Sequence, residues 1–137
     1  MERPIIHDPI FLQRASEQAG KADLGTAADL ADTLRAHREH CVGLAANMIG
    51  ESRCILAVFD GQEIITMLNP EIVKHSARRY QTEEGCLSLP GERSVERYES
   101  VEVRYRDETF HKQRRKFTGI TAQAIQHEMD HFVGKLI

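Results

Sequence analysis

Two histidines and a glutamate near the end of the chain form the pattern His-Glu-x-x-His. His127 and His131 are four residues apart, so on a helix their imidazoles share one face and can bind the same metal ion. Glu128 follows the first histidine and can approach a water held by that ion without being a ligand itself. The pattern predicts a metal-dependent hydrolytic site on a helix. A solvated helix end can carry the same residue types, so the pattern needs support from elsewhere in the chain.

The ion needs a third protein ligand, because a catalytic site of this type takes three and leaves one position for water. Only six residues follow His131 and none has a coordinating side chain, so this ligand must lie upstream. The candidates are several histidines, many acidic residues and three cysteines: Cys41, Cys54 and Cys86. Cys54 lies in an apolar run and is expected to be a small buried hydrophobe. Cys86 lies between a glycine and a proline, in a segment suited to presenting one side chain. We predict Cys86 as the ligand, with Cys41 as the alternative.

Hydrophobic periodicity predicts the elements that must position these residues. Apolar positions at three- and four-residue spacing predict a helix over Leu24–His40, capped by Asp23, and a second over Thr118–Phe132 that carries the histidines. Between the helices, apolar runs and alternation predict strands over Cys54–Phe59, Glu63–Leu68, Glu71–Arg79, Ser100–Arg106 and Thr109–Phe117. Asp60-Gly61 predicts a hairpin turn, and Asn69-Pro70 is expected to end a strand. Strands with one wet face are antiparallel, so this order predicts an α+β fold.

The composition is that of one soluble domain spanning residues 1–137. Lysine and arginine number 18 against 21 acidic residues, a net charge of −3, so we expect no direct nucleic-acid binding. The longest uncharged apolar stretch, Cys41–Gly50, is too short to span a membrane, and the first residues lack a signal-peptide layout. We therefore expect a cytoplasmic protein without membrane segments. Three widely spaced cysteines argue against a disulfide framework.

Three segments together resemble the signature motifs of the peptide deformylase family, in the family's order. They are Gly43-Leu44-Ala45-Ala46, Glu84-Gly85-Cys86-Leu87-Ser88 and His127-Glu128-Met129-Asp130-His131. The resemblance runs over nearly the whole chain and includes the Leu-Asn-Pro turn at 68–70. It implies antiparallel strands wrapped around the C-terminal helix, with the N-terminal helix packed outside.

The resemblance also implies roles for individual residues. Cys86, His127 and His131 would hold one divalent ion, which is ferrous iron in the cells of family members and can be replaced by zinc or nickel. Glu128 would be the general base, and the backbone N–H of Leu87 would help to stabilise the oxyanion. Gly43 would pair its backbone with the main chain of the substrate. The implied reaction is hydrolysis of formate from the N-terminal formyl-methionine of newly made proteins, in the vicinity of the ribosome, by a monomeric enzyme.

Helix geometry independently suggests where the methionine side chain binds. Ile120 and Ala124 share the face of His127 and, with Val42, are candidates to line an apolar pocket. A role for Ile120 and Ala124 as plain core residues is about equally compatible with the sequence. Gln123 shares this face but is more polar than such a pocket prefers. Glu84 is a candidate to orient a histidine ligand through a hydrogen bond.

The chain departs from the family at Met48, which occupies the place of a glutamine whose amide donates to the formyl oxygen. A thioether cannot donate a hydrogen bond. The neighbouring Asn47 would compensate only if the loop were shifted in register. The alternatives to an active deformylase are a weak or inactive paralogue that binds formylated or otherwise acylated peptides, and a general peptidase of the His-Glu-x-x-His type. The upstream cysteine ligand argues against the peptidase.

Overall fold

The computed structural model describes every residue from 1 to 137. Its helices are α1 (Pro9–Leu12), α2 (Leu24–Ala36) and α3 (Gly119–Phe132). Its strands are β1 (Gly43–Ala45), β2 (Ile55–Asp60), β3 (Glu63–His75), β4 (Arg79–Cys86), β5 (Leu89–Tyr98), β6 (Ser100–Arg106) and β7 (Lys112–Thr118). Short 3-10 turns cover Lys21–Asp23 and Ala46–Ile49.

The strands form two antiparallel sheets. Five strands pair in the order β1-β2-β3-β6-β7, and β4 pairs with β5 in a separate hairpin. On β6 the residues Val101, Val103 and Tyr105 are buried while their neighbours are partly or fully exposed, as the alternation in the sequence predicts. The short strand β1 lies at one edge of the five-stranded sheet, so one side of it carries no neighbouring strand. The predicted α+β fold is confirmed.

Helix α3 lies inside the molecule, and α2 covers the sheet from outside. Nine of the 14 residues of α3 are buried, and the helix contacts strands of both sheets. Helix α2 buries Ala27, Leu30 and Leu34 against β2 and β3. Twenty-five buried apolar residues form one continuous core cluster between these elements. This arrangement agrees with the one implied by the family resemblance. No helix combines the length and the apolar character that a bilayer crossing requires.

The predicted end of a strand at Asn69-Pro70 is wrong, because β3 continues through these residues to His75. The pairing of β3 with β6 shifts register between Leu68 and Glu71, and Asn69 has a φ of +54°. These features describe a β-bulge. A proline costs no hydrogen bond between the strands there, because the bulged residues do not pair with the neighbouring strand. The Asn69 amide also exchanges hydrogen bonds of 2.7 and 2.8 Å with the backbone of Ala19.

Several boundaries differ from the prediction, two of them by three or four residues, and one hairpin is absent from it. Helix α2 ends at Ala36 rather than His40, and the last strand begins at Lys112 because Asp107 organises a turn before it. The hairpin of β4 and β5 has side chains that are mostly exposed or half-buried on both faces. A ribbon of this kind lacks the apolar alternation by which a strand is recognised. The Asp60-Gly61 turn is present as predicted, with Gly61 at a φ of +66°.

Candidate metal centre and its cleft

Three potential metal ligands converge from two elements. Cys86 ends strand β4, whereas His127 and His131 project from one face of α3. The Nε2 atoms of the two histidines are 3.2 Å apart, and the Cys86 Sγ is 3.6 Å from Nε2 of His131. All three ligand atoms lie within 4.8 Å of one another. The structure therefore brings together the three residues that the sequence singles out.

The spacing and chemistry of these atoms fit a divalent transition metal. A tetrahedral ion with N and S ligands at about 2.0 to 2.3 Å holds its donors about 3.3 to 3.6 Å apart. The two shorter separations found here, 3.2 and 3.6 Å, match this requirement. Burial lowers the pKa of His131 to about 4, so its ring is neutral at pH 7, the form that binds metals. Burial alone would also lower the pKa of His127, but its hydrogen bonds with Cys86 and Glu84 outweigh burial and raise the pKa to about 10, so an ion that binds there displaces a proton. One thiolate and two imidazoles are a donor set that suits zinc and iron.

Cys41, the alternative ligand, is outside this group. It lies beside β1 in the wall of the same cleft, and its Sγ faces the carbonyl of His37 at 3.6 Å. Burial, reinforced by the charges of Glu128 and Cys86, raises the pKa of the Cys41 thiol to about 12. A protonated thiol does not bind metal as a thiolate does. Cys86 is therefore the cysteine placed to act as a ligand.

Glu84 fixes the orientation of His127. Its carboxylate lies 2.7 Å from Nδ1 of His127, so that nitrogen carries the proton and Nε2 is left to face the metal position. Arg97 donates to both oxygens of the same carboxylate, at 2.7 and 3.0 Å, and its third contact is to Asp130 at 2.8 Å. Burial alone would raise the pKa of Glu84, but the hydrogen bonds that it accepts outweigh burial and lower the pKa to about 2.

Glu128 stands at the other side of the ligand group, against strand β1. Burial raises the pKa of its carboxyl to about 7, and its Oε1 atom has no hydrogen-bond partner in the protein. A Cβ atom added to Gly43 would lie 3.2 Å from the Oε2 atom of Glu128 and 3.0 Å from the side chain of Val58. Glycine is therefore required at position 43 so that the strand can approach the carboxylate.

The edge of β1 is open toward the cleft at Gly43. The carbonyl of Val42 accepts a hydrogen bond from the N–H of Phe59 at 2.9 Å, so Val42 faces β2. In an antiparallel ladder the next residue presents its N–H and C=O in the opposite direction. Gly43 thus has its backbone groups directed to the side that carries no strand, where an extended peptide can pair.

The segment after β1 shows whether Asn47 can supply the hydrogen bond that Met48 cannot donate. Met48 is buried, and its Sδ accepts from the N–H of Ala45 at 3.5 Å. Asn47 turns its amide away from the cleft and donates to the carbonyls of Leu12 and His131, at 3.5 and 3.4 Å. The asparagine therefore does not replace the missing glutamine. Leu87, in the two-residue turn between β4 and β5, remains the candidate backbone donor.

A cleft of about 400 Å³ connects the ligand group to solvent. The predicted pocket residues Val42, Gly43, Ile120 and Ala124 all line it. Ala124 is buried, whereas Ile120 is 65% exposed at the rim, so Ile120 is not a plain core residue. The wall also includes residues that the sequence did not single out as pocket residues: His40, Cys41, Glu83 and Gln123. Arg97 and Tyr80 were missed as well, because their partners are distant in sequence and are identified only by the fold.

Comparison with known proteins agrees with this geometry. The model of the polypeptide deformylase family matches residues 4–137. A peptide deformylase from Clostridium beijerinckii is 53% identical over 137 residues, the full length of both chains. One from Synechococcus is 44% identical over 103 residues, covering 71% of this chain and 51% of the relative.

Solved structures give the same result. The crystal structure of an Acinetobacter baumannii peptide deformylase bound to Met-Ala-Ser has a TM-score of 0.86 and 29% sequence identity. The superposition covers 99% of this chain and 97% of that one. With the family model spanning nearly every residue and the three motifs meeting around one site, the chain belongs to the polypeptide deformylase family.

Proposed function

We propose that this protein hydrolyses the formyl group from the N-terminal formyl-methionine of newly made proteins. The observation that carries the proposal is the meeting of Cys86, His127 and His131 beside the buried carboxylate of Glu128. The full-length similarity to a protein named peptide deformylase favours this activity over a paralogue that only binds formylated peptides. The same similarity favours deformylase activity over the activity of a general peptidase.

The residues Cys86, His127 and His131 would hold the ion, with Glu84 keeping His127 in the ligating orientation. When bound, the ion would supply Lewis-acid polarisation of the formyl carbonyl and lower the pKa of the attacking water. Ferrous iron is the proposed ion in the cell, with zinc or nickel as substitutes. The soft thiolate and the two imidazoles accept all three of these metals.

Glu128 would transfer the proton in both halves of the reaction. Its carboxylate takes a proton from the water as the water oxygen bonds to the formyl carbon. The C–N bond then breaks, and the same proton passes to the departing amine, so that formate and a free N-terminus result. A carboxyl whose pKa is raised to about 7 is suited to both steps near neutral pH, because it can accept and release a proton readily.

The remaining contacts would hold the substrate. Its main chain would extend along the open edge of β1 and pair with the backbone of Gly43. The N–H of Leu87 would donate to the oxyanion that forms at the formyl oxygen. Val42, Ile120 and Ala124 would contact the methionine side chain. The single core cluster is in keeping with one domain over residues 1–137. We further propose that the enzyme is monomeric and cytoplasmic and meets its substrates near the ribosome.

The proposal is tested by following formate release and the new free amine together, with ferrous-loaded protein in the absence of oxygen. The substrates are formyl-Met-Ala-Ser, acetyl-Met-Ala-Ser and an unblocked peptide of similar length. We expect one formate for each amine from the first substrate, much slower reaction of the acetyl peptide and no cleavage of an internal bond. Cleavage within the unblocked peptide would support the peptidase instead.

A further inference from the structure

Gln123 is a polar residue in the wall of the cleft that the proposed reaction does not use. It lies on α3 one turn before His127 and is half-buried. Its neighbours on this face of the helix are Ile120 and Ala124, which also line the cleft. An amide at the place where an apolar side chain would be expected calls for an account of its hydrogen bonds.

Two contacts fix the orientation of this amide. The Nε2 atom donates to Oε2 of Glu84 at 2.9 Å, and the hydroxyl of Tyr80 donates to Oε1 at 3.3 Å. The Glu84 carboxylate is paired with the Arg97 guanidinium and therefore only accepts hydrogen bonds. The nitrogen of the amide must face that carboxylate, which leaves the oxygen for the tyrosine.

This orientation leaves one donor of Gln123 without a partner in the protein. The amide nitrogen carries two protons and makes a single hydrogen bond, to Glu84. Because Gln123 lines the cleft, this N–H is available to an acceptor on a ligand bound there. The substrate residue that enters this cleft is methionine, and its thioether sulfur is a weak acceptor.

We propose that Gln123 selects methionine at the first position of the substrate by donating its free amide N–H to the thioether sulfur. This inference rests on the proposed function and adds a determinant of side-chain specificity to it. The proposed hydrogen bond predicts that methionine is preferred over its apolar analogue norleucine, whereas a purely apolar pocket would show the reverse preference. Norleucine has the shape of methionine with a methylene in place of the sulfur. An apolar wall would favour norleucine, which is the more hydrophobic, whereas an N–H donor favours methionine.

The experiment compares kcat/KM for formyl-Met-Ala-Ser and formyl-norleucyl-Ala-Ser in each protein. In the unmodified protein we expect the methionine substrate to be preferred by about 2- to 10-fold, the value of one neutral hydrogen bond. The Gln123→Met variant keeps the length of the side chain and loses the donor, so the ratio should fall to one or below. The ratio within one preparation does not depend on how much of the protein has metal bound. This matters because Gln123 also contacts Glu84.

Gln113→Met is the matched control. Gln113 is exposed on β7, donates a hydrogen bond to Asp107 and is not among the residues that line the cleft, so its replacement should leave the ratio unchanged. The dissociation constants of the tripeptides Met-Ala-Ser and norleucyl-Ala-Ser, measured by calorimetry, give a second readout that needs no turnover. We expect Met-Ala-Ser to bind more tightly to the unmodified protein and to lose this advantage in Gln123→Met.

A ratio of one or below in the unmodified protein would overturn the inference, and so would a ratio that Gln123→Met leaves unchanged. If Gln123→Met fails to fold, the unmodified protein still tests the inference through two ratios between the methionine and norleucine peptides, that of kcat/KM and that of the dissociation constants. If neither formyl peptide is hydrolysed, the proposed function fails, while the binding ratio of the tripeptides continues to test Gln123. The two failures are therefore distinguishable.

Discussion

The carboxylate of Glu84 joins a proposed metal ligand, His127, to a buried cation. It contacts Nδ1 of His127 on one side and the Arg97 guanidinium on the other, each at 2.7 Å. Arg97 and Glu84 are both less than one-tenth exposed. A buried ion pair of this kind depends on both partners, because removal of one leaves the other charged and desolvated.

Arg97→Met should therefore destabilise the protein strongly. We expect a loss of about 3 to 5 kcal/mol in the free energy of unfolding, since Glu84 loses its partner in the interior. Arg104→Met is the matched control, because Arg104 forms an exposed pair with Glu71 on the sheet surface, and it should cost less than about 1 kcal/mol. Urea titrations of the two variants measure the difference. Equal losses would contradict the role given to Arg97.

Met48→Gln should raise turnover. Asn47 is turned into the interior and the thioether of Met48 donates nothing, so a glutamine would add a donor near the formyl oxygen. The gain in kcat can reach about 100-fold, the lower value of an oxyanion donor in other hydrolases. Met48→Leu removes the sulfur without adding a donor and should give no gain. If kcat is the same in both variants as in the unmodified protein, the N–H of Leu87 and the metal already stabilise the oxyanion without a further donor.

The elements that carry the motifs are tied together by the N-terminal segment. The N–H of Ile6 donates to the carbonyl of Met48 at 2.8 Å, and Nδ1 of His7 donates to the carbonyl of Ser88 at 2.9 Å. Two successive residues thus connect the turn after β1 to the turn between β4 and β5. The second of these turns contains Leu87, so its position depends in part on His7.

His7→Ala should lower kcat by about 2- to 10-fold with little change in KM, because one hydrogen bond that positions the turn is lost. His7→Asn places an amide N–H where Nδ1 stood and should restore most of kcat. Steady-state kinetics on a formyl-methionyl tripeptide distinguish the two variants. If kcat in the asparagine variant is as low as in the alanine variant, the hydrogen bond is not what positions the turn.

The elements also differ in how well the sequence predicts them. Helix α3 is predicted to within one residue at its start, because the two histidines and the buried apolar residues share one helical period. The hairpin of β4 and β5 is not predicted, although it carries Cys86, because its faces are mixed in polarity. Cys86 is preferred over Cys41 as the third ligand because of its Gly/Pro-bounded segment and because of the family resemblance. The path by which the hairpin brings Cys86 to α3 follows only from the fold, since neither spacing nor periodicity relates residues 41 positions apart.

At the scale of the whole molecule, the proposed metal site joins elements that otherwise belong to different parts of the fold. Cys86 comes from the two-stranded hairpin, whereas the histidines come from the central helix. A ligand that binds only the folded state stabilises it, by about 2.7 kcal/mol at a hundred times its dissociation constant. Metal binding should therefore stabilise the packing of the hairpin on the helix, in addition to supplying the chemistry.

Removal of the metal should accordingly lower the melting temperature, and reloading with ferrous iron or zinc should restore it. Cys86→Ala should abolish this metal-dependent shift, because it removes the ligand contributed by the hairpin. Cys54→Ala provides the control, since Cys54 faces the carbonyl of Ser16 and lies outside the ligand group. Thermal unfolding with and without chelator measures the shift. A full shift in Cys86→Ala would place the third ligand elsewhere.

The most direct test of the account compares formate release by the unmodified protein and by Glu128→Ala, with the metal content of both determined. Glu128 is not among the proposed ligands, so both proteins should bind one ion per chain. The unmodified protein should release formate from formyl-Met-Ala-Ser, and the variant should be slower by at least about 100-fold, as expected for loss of a general base. Retained turnover in Glu128→Ala would contradict the mechanism. A fully loaded unmodified protein that releases no formate would contradict the function itself.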